Sequence, residues 1–483
     1  MADKEKLTQA LQAKKANMDD WYPEVILKSE LADYSKVSGC IVLRPYGYAI
    51  WEKIVAVVDE KLKKMGVKNC YFPLLIPESL LAKEQEHVKG FTPEVAWVTE
   101  TGNSKLDEKL AIRPTSETIM YDSYSKWIQS WRDLPLKLNQ WNNVVRWEFK
   151  HPKPFLRSRE FLWNEGHTVF ASEKEAIKDS QEVLDMYHNF VEEYMALAGA
   201  KVKKSENEKF AGAVYSMSVE CMMPDGKMIQ GPDSHFDGQK FAKAYDIKFL
   251  NKDGKMEHAW QNTFAISWRM IGVLVASHGD DRGLVLPPKL APIPVVIVPI
   301  YKDDTKKEVM KKAEEISKEM KKFGVHLDDR EEYTPGWKFN EWELKGVPLR
   351  IEIGPKDIEK KSVVLVRRDT GEKSFVKMSE LKDKVPEVLD AIQKNLFEKS
   401  KKFLEERTKT AKTYAEMKKL VDGNRVLVDF CNEPACEEKV KGELSAKTTG
   451  IPLDDKFNAA KGTGKCIICG KPATCKAYFS KSY

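Results

Sequence analysis

One stretch of alternating apolar and charged residues most constrains how this chain folds. In "VVRWEFKHPKPFLRSREF" (144–161), Val145, Trp147 and Phe149 alternate with Arg146 and Glu148. A period of two is typical of a β-strand whose two faces differ, so the pattern predicts a strand with Arg146 and Glu148 side by side on one face. A loop rich in lysine, arginine and proline follows this strand.

The alternation then resumes in "FLWNEGHT" (161–168), which predicts a second strand and therefore a hairpin. Three of its side chains share a face: Trp163, Glu165 and His167. A hairpin that carries this much charge and aromatic surface indicates a binding site, although a solvated face with surface ion pairs is the simpler alternative for an isolated arginine and glutamate.

The length of the chain predicts two or three domains, because 483 residues exceed what one hydrophobic core usually supports. A content of 42% apolar residues is typical of a globular protein, and a net charge of +6 permits nucleic-acid binding without requiring it. The longest apolar run, "APIPVVIVPI", is too short to cross a bilayer, so no membrane association is expected. The first residues lack the apolar core of a signal peptide, which favours a cytoplasmic protein.

A proline-rich segment, "LVLPPKLAPIP" (284–294), predicts a domain boundary. Before it, "AWQNTFAISWRMIGVLVASHG" (259–279) reads as a strand that runs into an apolar helix. After it, strands such as "VVIVPI" and "LRIEIG" alternate with an amphipathic helix, which predicts an α/β domain of about a hundred residues. A charged helical stretch, about 386–422, precedes the C-terminal tail.

The tail contains two cysteine pairs, Cys431 with Cys436 in "CNEPAC" and Cys466 with Cys469 in "CIICG". Two such pairs about thirty residues apart suit a tetrahedral zinc site, whereas disulfides, the alternative, are unusual in a reducing compartment. Four thiolates leave no open position for a substrate, so we expect a structural zinc. Cys475 receives no role.

Arginines in apolar surroundings indicate an anion. Arg269 in "AISWRMIG" lies where an apolar strand turns into a helix, and it must find either an internal carboxylate or a ligand. Guanidinium groups bind phosphate oxygens through two directed hydrogen bonds, so Arg146 and Arg269 together favour a polyphosphate nucleotide. No Walker-type phosphate loop offers a different site.

With these motifs in order, the chain resembles the class II aminoacyl-tRNA synthetases, and specifically the archaeal/eukaryotic-like prolyl-tRNA synthetases of subclass IIa, over essentially its whole length. "YFPLLIP" is similar to motif 1, "RWEFKHPKPFLRSREF" to motif 2 and "FAISWRMIG" to motif 3. "RPTSET" is similar to the element that binds the proline amine, and "HGDDRGLVLPP" to the end of the catalytic domain. Pro73 of motif 1 lies at the dimer interface in this family, which implies a homodimer.

The resemblance implies three domains: an α+β catalytic domain (1–287) with the class II antiparallel sheet, an α/β anticodon-binding domain (288–400) and a small α/β zinc-binding C-terminal domain (401–483). It also implies the reaction, in which L-proline and ATP form prolyl-adenylate and pyrophosphate before proline is transferred to the 3′ end of tRNA(Pro). Mg²⁺ would accompany ATP.

The family's site residues carry over onto matching positions. The resemblance implies contacts with ATP for Arg146, Glu148, Arg157, Gln230, Asp233, Ser267 and Arg269. It implies contacts with proline for Thr115, Glu117, Arg146, Trp163, Glu165, His167 and His235. Arg146 and Arg269 would be the catalytic residues, since positioning and charge neutralisation dominate this reaction at phosphorus. Asp233 departs from the family, where a threonine is common.

In the anticodon-binding domain the matching positions are Glu343, Arg350 and Lys356, and the alternative is that these charges merely solubilise the surface. Two other functions stay open. One is another class IIa synthetase, for threonine or glycine, although residues 110–280 lack the zinc-binding Cys and His cluster of the threonine enzyme. The other is a non-catalytic synthetase-like RNA-binding protein, which the presence of the phosphate-binding arginines disfavours. Many relatives end, like this chain, in a tyrosine, here Tyr483.

Overall fold

The computed structural model describes residues 11, 13, 14, 17–87 and 94–483. Most of the N-terminal segment that argues against a signal peptide therefore lies outside the described residues. In the part of the chain that is described, no helix is both long and apolar enough to cross a membrane.

Secondary structure is labelled in chain order. The helices α1 to α13 are Met18–Lys28, Pro45–Lys64, Glu78–His87, Glu117–Trp127, Glu173–Glu193, Lys240–Ala244, Arg269–His278, Lys306–Glu319, Pro335–Leu344, Pro355–Glu359, Leu381–Glu406, Tyr414–Leu420 and Pro434–Leu444. Strands β1 to β12 are Ala32–Tyr34, Ile41–Leu43, Lys68–Asn69, Leu75–Pro77, Trp97–Thr101, Ser104–Ile112, Leu136–Val145, Glu160–Phe170, Gly199–Lys203, Tyr215–Met222, Met228–Gly238 and Lys248–Leu250. Strands β13 to β23 are Met256–His258, Trp260–Ser267, Val295–Pro299, Val325–Leu327, Leu349–Ile353, Ser362–Arg367, Lys373–Lys377, Thr408–Thr410, Arg425–Phe430, Lys447–Pro452 and Cys475–Ser480.

An eleven-stranded sheet runs through the catalytic region, in the order β20-β21-β23-β22-β9-β10-β11-β14-β8-β7-β3. Strands β9, β10, β11, β14, β8 and β7 are antiparallel to their neighbours within this run, as predicted for the class II core. Helix α5 packs across these strands, and α1, α2 and α7 contribute to the same apolar core. The sheet is therefore buried on one face by helices.

Helix α2 shows how the sequence forms these elements. Pro45 occupies the first turn, where its missing N–H costs nothing, and Gly66 follows the last turn with a φ of 82°. The apolar stripe that includes Ile50, Ile54 and Val58 is buried in the core. The apolar spacing of this stretch and the glycine after it predict such a helix from the sequence, and the structure confirms both the helix and its end at Gly66.

The charged hairpin is present, but its first arm is shorter than predicted. Strand β7 ends at Val145, and Trp147 and Glu148 lie in an exposed turn, so the prediction that Arg146 and Glu148 share a strand face is wrong. The Arg146 N–H still donates to the Arg159 carbonyl across the hairpin (2.7 Å). The next N–H, of Trp147, donates instead to the carbonyl of Glu94 (2.9 Å), which takes the chain away from the ladder.

The apolar run of "NCYFPLLIP" (69–77) predicts a strand that Pro77 ends, but in the structure this strand is interrupted. Only Lys68–Asn69 and Leu75–Pro77 are strands, and they belong to different sheets. Between them, Pro73 has no N–H to donate, and the Phe72 N–H donates to the Gln140 side chain rather than to a strand.

The region after the proline-rich boundary is the predicted α/β unit. Its five strands have the order β16-β15-β17-β18-β19, with parallel pairs around β15 and antiparallel pairs from β17 to β19. Helices α8 and α11 bury one face, and α9 packs on the other face over β15.

The C-terminal region is also α/β, and it extends the catalytic sheet. Strand β22 pairs with β9 through Ile451 and Lys203, so strands from the tail and from the catalytic region form one sheet. The predicted helical stretch begins earlier than expected, at Leu381, and breaks after Glu406. Helix α11 thus crosses the predicted boundary between residues 400 and 401, and the domain boundaries stay predictions.

Candidate active site

A cavity of about 510 Å³ opens on the face of the sheet formed by β8, β10, β11 and β14. Nine of the residues expected to bind ATP or proline line it: Thr115, Glu117, Arg146, Trp163, Glu165, His167, Gln230, Asp233 and His235. They come from separate segments of the chain, and only the folded sheet brings them together.

The register of the strands explains this placement. Trp163, Glu165 and His167 alternate along β8 and project into the cavity from one face. On the neighbouring strand, Ala265 lies opposite Glu165, and its small side chain leaves room above the sheet. Gly166 belongs to the opposite face, where a Cβ would lie 2.0 Å from the Phe264 ring. Glycine therefore lets β8 pack closely on the core beneath the cavity.

Glu165 is the centre of a buried hydrogen-bond network. Its Oε2 accepts from the Thr115 hydroxyl (2.9 Å) and from the Ser116 N–H (2.8 Å), and it lies 3.4 Å from Nε2 of His167. Its Oε1 accepts from Nδ2 of Asn142 (2.7 Å). Glu165 is only 2% exposed, yet both carboxylate oxygens are satisfied within the chain.

Burial by itself would raise the pKa of Glu165. The hydrogen bond and charge of His167, together with the Ser116 donors, outweigh burial and lower this pKa to about 2. Glu165 is therefore a carboxylate at neutral pH. Because its lone pairs are used internally, its chemistry is to hold Thr115 and His167 in place.

Arg146 carries positive charge into the cavity. Its Nε donates to the carbonyl of Pro114 (2.9 Å), and its guanidinium carbon lies 5.1 Å from the centre of the Trp163 ring. These contacts fix the side chain, while its Nη atoms have no hydrogen-bond acceptor among the described residues. A fixed guanidinium with free donors is suited to an anionic ligand.

Arg269 begins helix α7 beside the cavity, and its Nη1 donates to the carbonyl of Gln230 (3.3 Å). Burial lowers the pKa of Arg269; the Asp233 carboxylate opposes this change, and the charge of Arg146 adds to it. The two arginines are thus close enough to repel each other. Two neighbouring cations at a helix N-terminus favour the binding of a polyanion.

Asp233, the departure from the family, contacts its predicted neighbours. Its Oδ2 accepts from Nε2 of Gln230 (2.8 Å), and its Oδ1 lies 3.5 Å from Nε2 of His235. The other ring nitrogen of His235 lies 2.7 Å from the Ser216 hydroxyl. Burial would lower the pKa of His235, but the Asp233 carboxylate reverses this and raises it.

Four predicted residues do not line the cavity: Glu148, Arg157, Ser267 and Arg269. Glu148 is exposed in the turn after β7, and Arg157 lines a separate cleft. Ser267 ends β14, and its hydroxyl accepts from the Arg269 N–H (3.4 Å). Arg157 nevertheless contributes to the positive charge that Arg269 experiences, so both arginines belong to the surroundings of the cavity.

Sequence reasoning missed several further lining residues, among them Lys204 and Phe210. Lys204 is 8% exposed, and its Nζ lies 2.5 Å from Oε1 of Glu220. The Phe210 ring lies 5.2 Å from the His235 ring and closes the same side of the cavity. Neither residue belongs to a motif, because the fold of residues 204–216 beside β10 places them there.

The four predicted cysteine ligands form a second cluster. The sulfur atoms of Cys431, Cys436, Cys466 and Cys469 all lie within 4.8 Å of one another. The Cys431 sulfur is 3.6 Å from that of Cys436 and 3.8 Å from that of Cys469, far beyond a disulfide bond length. Tetrahedral zinc with bonds of about 2.3 Å separates its sulfur ligands by about 3.8 Å. The residues therefore fit a zinc ion.

Cys475 stays outside this cluster. Its buried thiol donates to the carbonyl of Phe430 (3.6 Å) and packs in the core of the tail. Tyr483, at the chain end, donates its hydroxyl to Asp225 (3.0 Å), and its N–H donates to the carbonyl of Met228, two residues before Gln230.

The three predicted anticodon-reading residues lie in the second α/β unit. Arg350 on β17 donates to Oε1 of Glu352 (2.8 Å) and lies 3.5 Å from Glu343 of α9. Its guanidinium carbon is also 4.2 Å from the centre of the Phe339 ring. Lys356 is exposed on the first turn of α10. Glu343 and Arg350 are therefore brought together, and Lys356 lies just after the strand that carries Arg350.

Comparisons with protein families match three parts of the chain. Residues 97–278 match the family described as "tRNA synthetase class II core domain (G, H, P, S and T)". Residues 294–388 match "Anticodon binding domain", and residues 414–483 match "Prolyl-tRNA synthetase, C-terminal". The three matches follow the order of the sheet and helix units described above.

Similar proteins match almost the whole chain. The proline–tRNA ligase of Natranaerobius thermophilus is 50% identical over 468 residues, which cover 96% of each chain. Proline–tRNA ligase 2 of Bacillus cereus is 47% identical and covers 98% of this chain and 99% of its own. A crystal structure of prolyl-tRNA synthetase from Cryptosporidium parvum, complexed with halofuginone and AMPPNP, superposes with a TM-score of 0.93 at 44% identity, covering 98% of this chain and 99% of that one.

Proposed function

The chain belongs to the prolyl-tRNA synthetases, a family of class II aminoacyl-tRNA synthetases, and from this premise we propose how its residues catalyse proline–tRNA ligation. Proline and ATP form prolyl-adenylate and pyrophosphate in the cavity on β8, and proline is then transferred to the 3′ end of tRNA(Pro). The observation that carries the proposal is that Arg146 and two buried carboxylates, Glu117 and Glu165, line one cavity, with Arg269 directly beside it.

The charges of the cavity match those of the substrates. Proline is a zwitterion, and its secondary ammonium suits the side of Thr115 and Glu117, which are 6% and 3% exposed. Its carboxylate suits the free Nη donors of Arg146. Trp163 and Phe210 supply apolar walls for the ring. Glu165 and His167 act as positioning residues, because their mutual contact and the Thr115 hydroxyl bond keep this side rigid.

Arg146 and Arg269 bind the α-phosphate and the rest of the triphosphate. The proline carboxylate oxygen attacks the α-phosphorus in line with the leaving pyrophosphate, and the attacking group is already ionised, so no strong base is needed. The arginines neutralise charge that builds up on phosphate oxygens. Gln230, Asp233 and Ser267 lie around this end, and the charge of Arg157 already acts on Arg269. Glu148, exposed in the turn after β7, contacts ATP from that turn in this proposal. Mg²⁺ carried with ATP supplies further charge neutralisation.

The cysteine cluster holds a structural zinc ion. The sulfur separations support this role, and the tail that contains the cluster continues the catalytic sheet through β22. A metal site there stabilises the tail against the edge of the catalytic region. Four sulfur ligands complete a tetrahedral zinc, so the ion takes no part in chemistry at phosphorus.

A homodimer forms through motif 1. Around Pro73 several large apolar side chains are exposed: Tyr71, Leu74, Leu75, Trp97 and Trp127. Such a patch is typical of a protein interface. We further propose a cytoplasmic protein, supported by the eight cysteines, all of them in the described part of the chain, of which none forms a disulfide. The proposed domains remain 1–287, 288–400 and 401–483, with Glu343, Arg350 and Lys356 reading the anticodon of tRNA(Pro).

The experiment is ATP–pyrophosphate exchange with proline, compared with threonine and glycine. We expect exchange with proline, and a loss of at least about a hundredfold in Arg146→Ala, since one preorganised charge contact is worth about 3 kcal/mol in a transition state. Arg132→Ala, at an exposed turn far along the hairpin from Arg146, is the matched control and retains activity. Exchange with threonine or glycine instead of proline, or near-normal exchange in Arg146→Ala, contradicts the proposal.

A further inference from the structure

Strand β19 carries an aromatic side chain with no packing partner to explain it. Phe375 is 78% exposed, more than any other large apolar residue that the structure describes as exposed. It lies in the middle of "KSFVK" (373–377), on the edge strand of the five-stranded sheet. An exposed phenylalanine contributes little burial free energy to the stability of the fold. Its presence here therefore indicates a contact with a ligand or partner.

The register places Phe375 on the face of the predicted anticodon-reading residues. Phe375 pairs with Val364 of β18, and Val364 pairs with Glu352 of β17, so all three point to one side of the sheet. In the adjacent row, Arg350 pairs with Val366 and Val366 with Lys373. Adjacent strands are about 4.8 Å apart, so Phe375 lies about 10 Å from Glu352, two strands away in the same row.

The opposite face of this sheet is not available. There Val363, Leu365 and Val376 are buried beneath α8 and α11. On the side of Phe375, helix α9 packs over β15 and Arg350, and Val364 remains only partly buried. An open strip therefore runs along β19 and Val364 at the edge of the sheet, beside Arg350 and Val366, which are only 7% and 6% exposed.

The charges of the strip identify the class of its ligand. Lys373 and Lys377 lie two residues to either side of Phe375, so they project to the same face as its ring. Edge-strand lysines alone have a simpler explanation, because they discourage pairing with another chain. An exposed phenylalanine between them works against that purpose. One flat aromatic ring between two cations matches an unpaired nucleotide, whose base stacks and whose phosphates are anionic.

We propose that Phe375 is the stacking platform for an unpaired base of the tRNA anticodon loop, with Lys373 and Lys377 binding the neighbouring phosphates. The base stacked on Phe375 is a neighbour of the bases contacted by Glu343 and Arg350. The inference rests on the proposed anticodon-binding role of this face. It adds a contact that is independent of base identity, because every base has a face that stacks.

The first test is aminoacylation kinetics with the full chain and a tRNA(Pro) transcript. Loss of one stacking contact in Phe375→Ala is expected to raise KM for tRNA at least about fivefold. The effect should appear in tRNA binding and not in ATP–pyrophosphate exchange, which uses no tRNA. Phe375→Trp keeps a ring and is expected to restore KM, whereas Phe375→Leu, apolar but not planar, should behave like Phe375→Ala.

The second test locates the base. An anticodon stem–loop carries the fluorescent base 2-aminopurine at one loop position at a time, and wild-type protein is expected to quench one position more strongly than Phe375→Ala does. Lys318→Ala removes a 79% exposed lysine side chain from α8, on the covered side of the sheet. It is the control for loss of a surface charge elsewhere in this unit, and it should quench 2-aminopurine like the wild type.

Arg350→Ala separates this inference from the proposed function on which it rests. If Arg350→Ala raises KM for tRNA but Phe375→Ala does not, the anticodon face stands and the platform is wrong. If neither variant changes KM for tRNA, the proposed anticodon-binding role of this face is wrong. Unchanged KM in Phe375→Ala, or no position with ring-dependent quenching, overturns the inference and leaves the strip as a surface for a protein partner.

Discussion

The substrate cavity and the cysteine cluster differ in how their buried polar groups are satisfied. In the cavity, the carboxylate of Glu165 accepts hydrogen bonds from Thr115, Ser116 and Asn142, and these bonds stabilise its negative charge without a ligand. In the tail, four thiols converge to within 4.8 Å of one another, and backbone hydrogen bonds from Glu433 and Lys471 reach Cys431 and Cys469. The cavity network is satisfied within the chain, whereas the cluster has the ligand set of the zinc ion that we propose.

This difference indicates what stabilises each site: hydrogen bonds within the chain in the cavity, and the proposed metal ion in the cluster. In the proposed function, a ligand in the cavity uses the free donors on Arg146, and the supporting network can stay unchanged. At the cluster, binding of the proposed zinc would be part of folding, because four thiolates this close together would repel one another without a cation. Substitutions in the cysteine cluster should therefore cause loss of the metal and of tail stability. Substitutions in the cavity should instead change activity or the pH dependence of stability.

The largest expected effect is at the cluster. Metal analysis of the purified protein should give about one zinc per chain, and Cys431→Ser or Cys466→Ser should abolish it. Structural zinc sites contribute on the order of 10 kcal/mol of binding free energy, so we expect the tail to lose protection from proteolysis and hydrogen exchange. Cys475→Ser, a change to a buried thiol of the same core outside the cluster, is the matched control and keeps its zinc.

Retained zinc in both variants, or protein that contains none when freshly purified, would remove the contrast between the two regions. Loss of zinc without any change in tail protection would mean that the cluster resembles the cavity more closely than proposed.

A smaller effect is expected at the network of the cavity. The pKa of Glu165 is lowered to about 2 from 4.5, so the group stabilises the folded protein above pH 4.5, and this stability is lost as pH falls towards 2. The shift corresponds to about 3 kcal/mol at neutral pH. Glu165→Gln should lower the free energy of unfolding by roughly that amount at pH 7 and by much less at pH 2.5, as measured by chemical denaturation.

Glu148→Gln, which changes an exposed carboxylate on the same hairpin, provides the comparison and should leave both values close to wild type. Equal destabilisation by Glu165→Gln at the two pH values would show that the loss comes from packing and not from the charge of the network.

The smallest effect is expected at Asp233. Its carboxylate raises the pKa of His235, and Asp237 acts in the same direction while burial and Lys204 oppose it. A raised histidine pKa stabilises the fold below about pH 6.5 and ceases to do so as pH rises through the folded value. Asp233→Asn should lower the His235 pKa, as measured by NMR titration, because the burial that opposes the raised value remains while the nearby carboxylate is removed.

Asp225→Asn, a carboxylate that binds Lys227 and Tyr483 rather than a histidine, is the control and should leave the His235 titration unchanged. A His235 pKa that does not fall in Asp233→Asn would assign the shift to Asp237, and the departure from the family would then have no electrostatic consequence at His235.

Local patterns allowed several elements to be predicted. A helix could be predicted from the apolar stripe of Ile50, Ile54 and Val58 and from Gly66 at its end. Both signals are local, because they lie within about twenty residues of one another. The cysteine pairs were equally recognisable, since the two members of each pair are no more than five residues apart in the sequence. Trp163, Glu165 and His167 reached one face because alternation along a strand needs no distant partner.

The errors have a common cause. The hairpin arm ended at Val145 because the Trp147 N–H found the carbonyl of Glu94, about fifty residues away in sequence. Lys204 and Phe210 were missed because their place beside the cavity depends on neighbouring strands and not on a motif. The continuous sheet of the tail and catalytic region likewise depends on the pairing of β22 with β9.

By itself, then, the sequence determined the charged hairpin, the order of helices and strands, the cysteine pairs and the motifs of the family, because these depend on spacing along the chain. Tertiary structure alone decided which charges are already paired. Arg350 is held by Glu352 and Glu343, Glu165 is saturated by its neighbours, and Arg146 retains free donors. Hydrogen bonds extend only about 3 Å, so whether a charge is spent or available depends on contacts that the folded chain makes between distant residues.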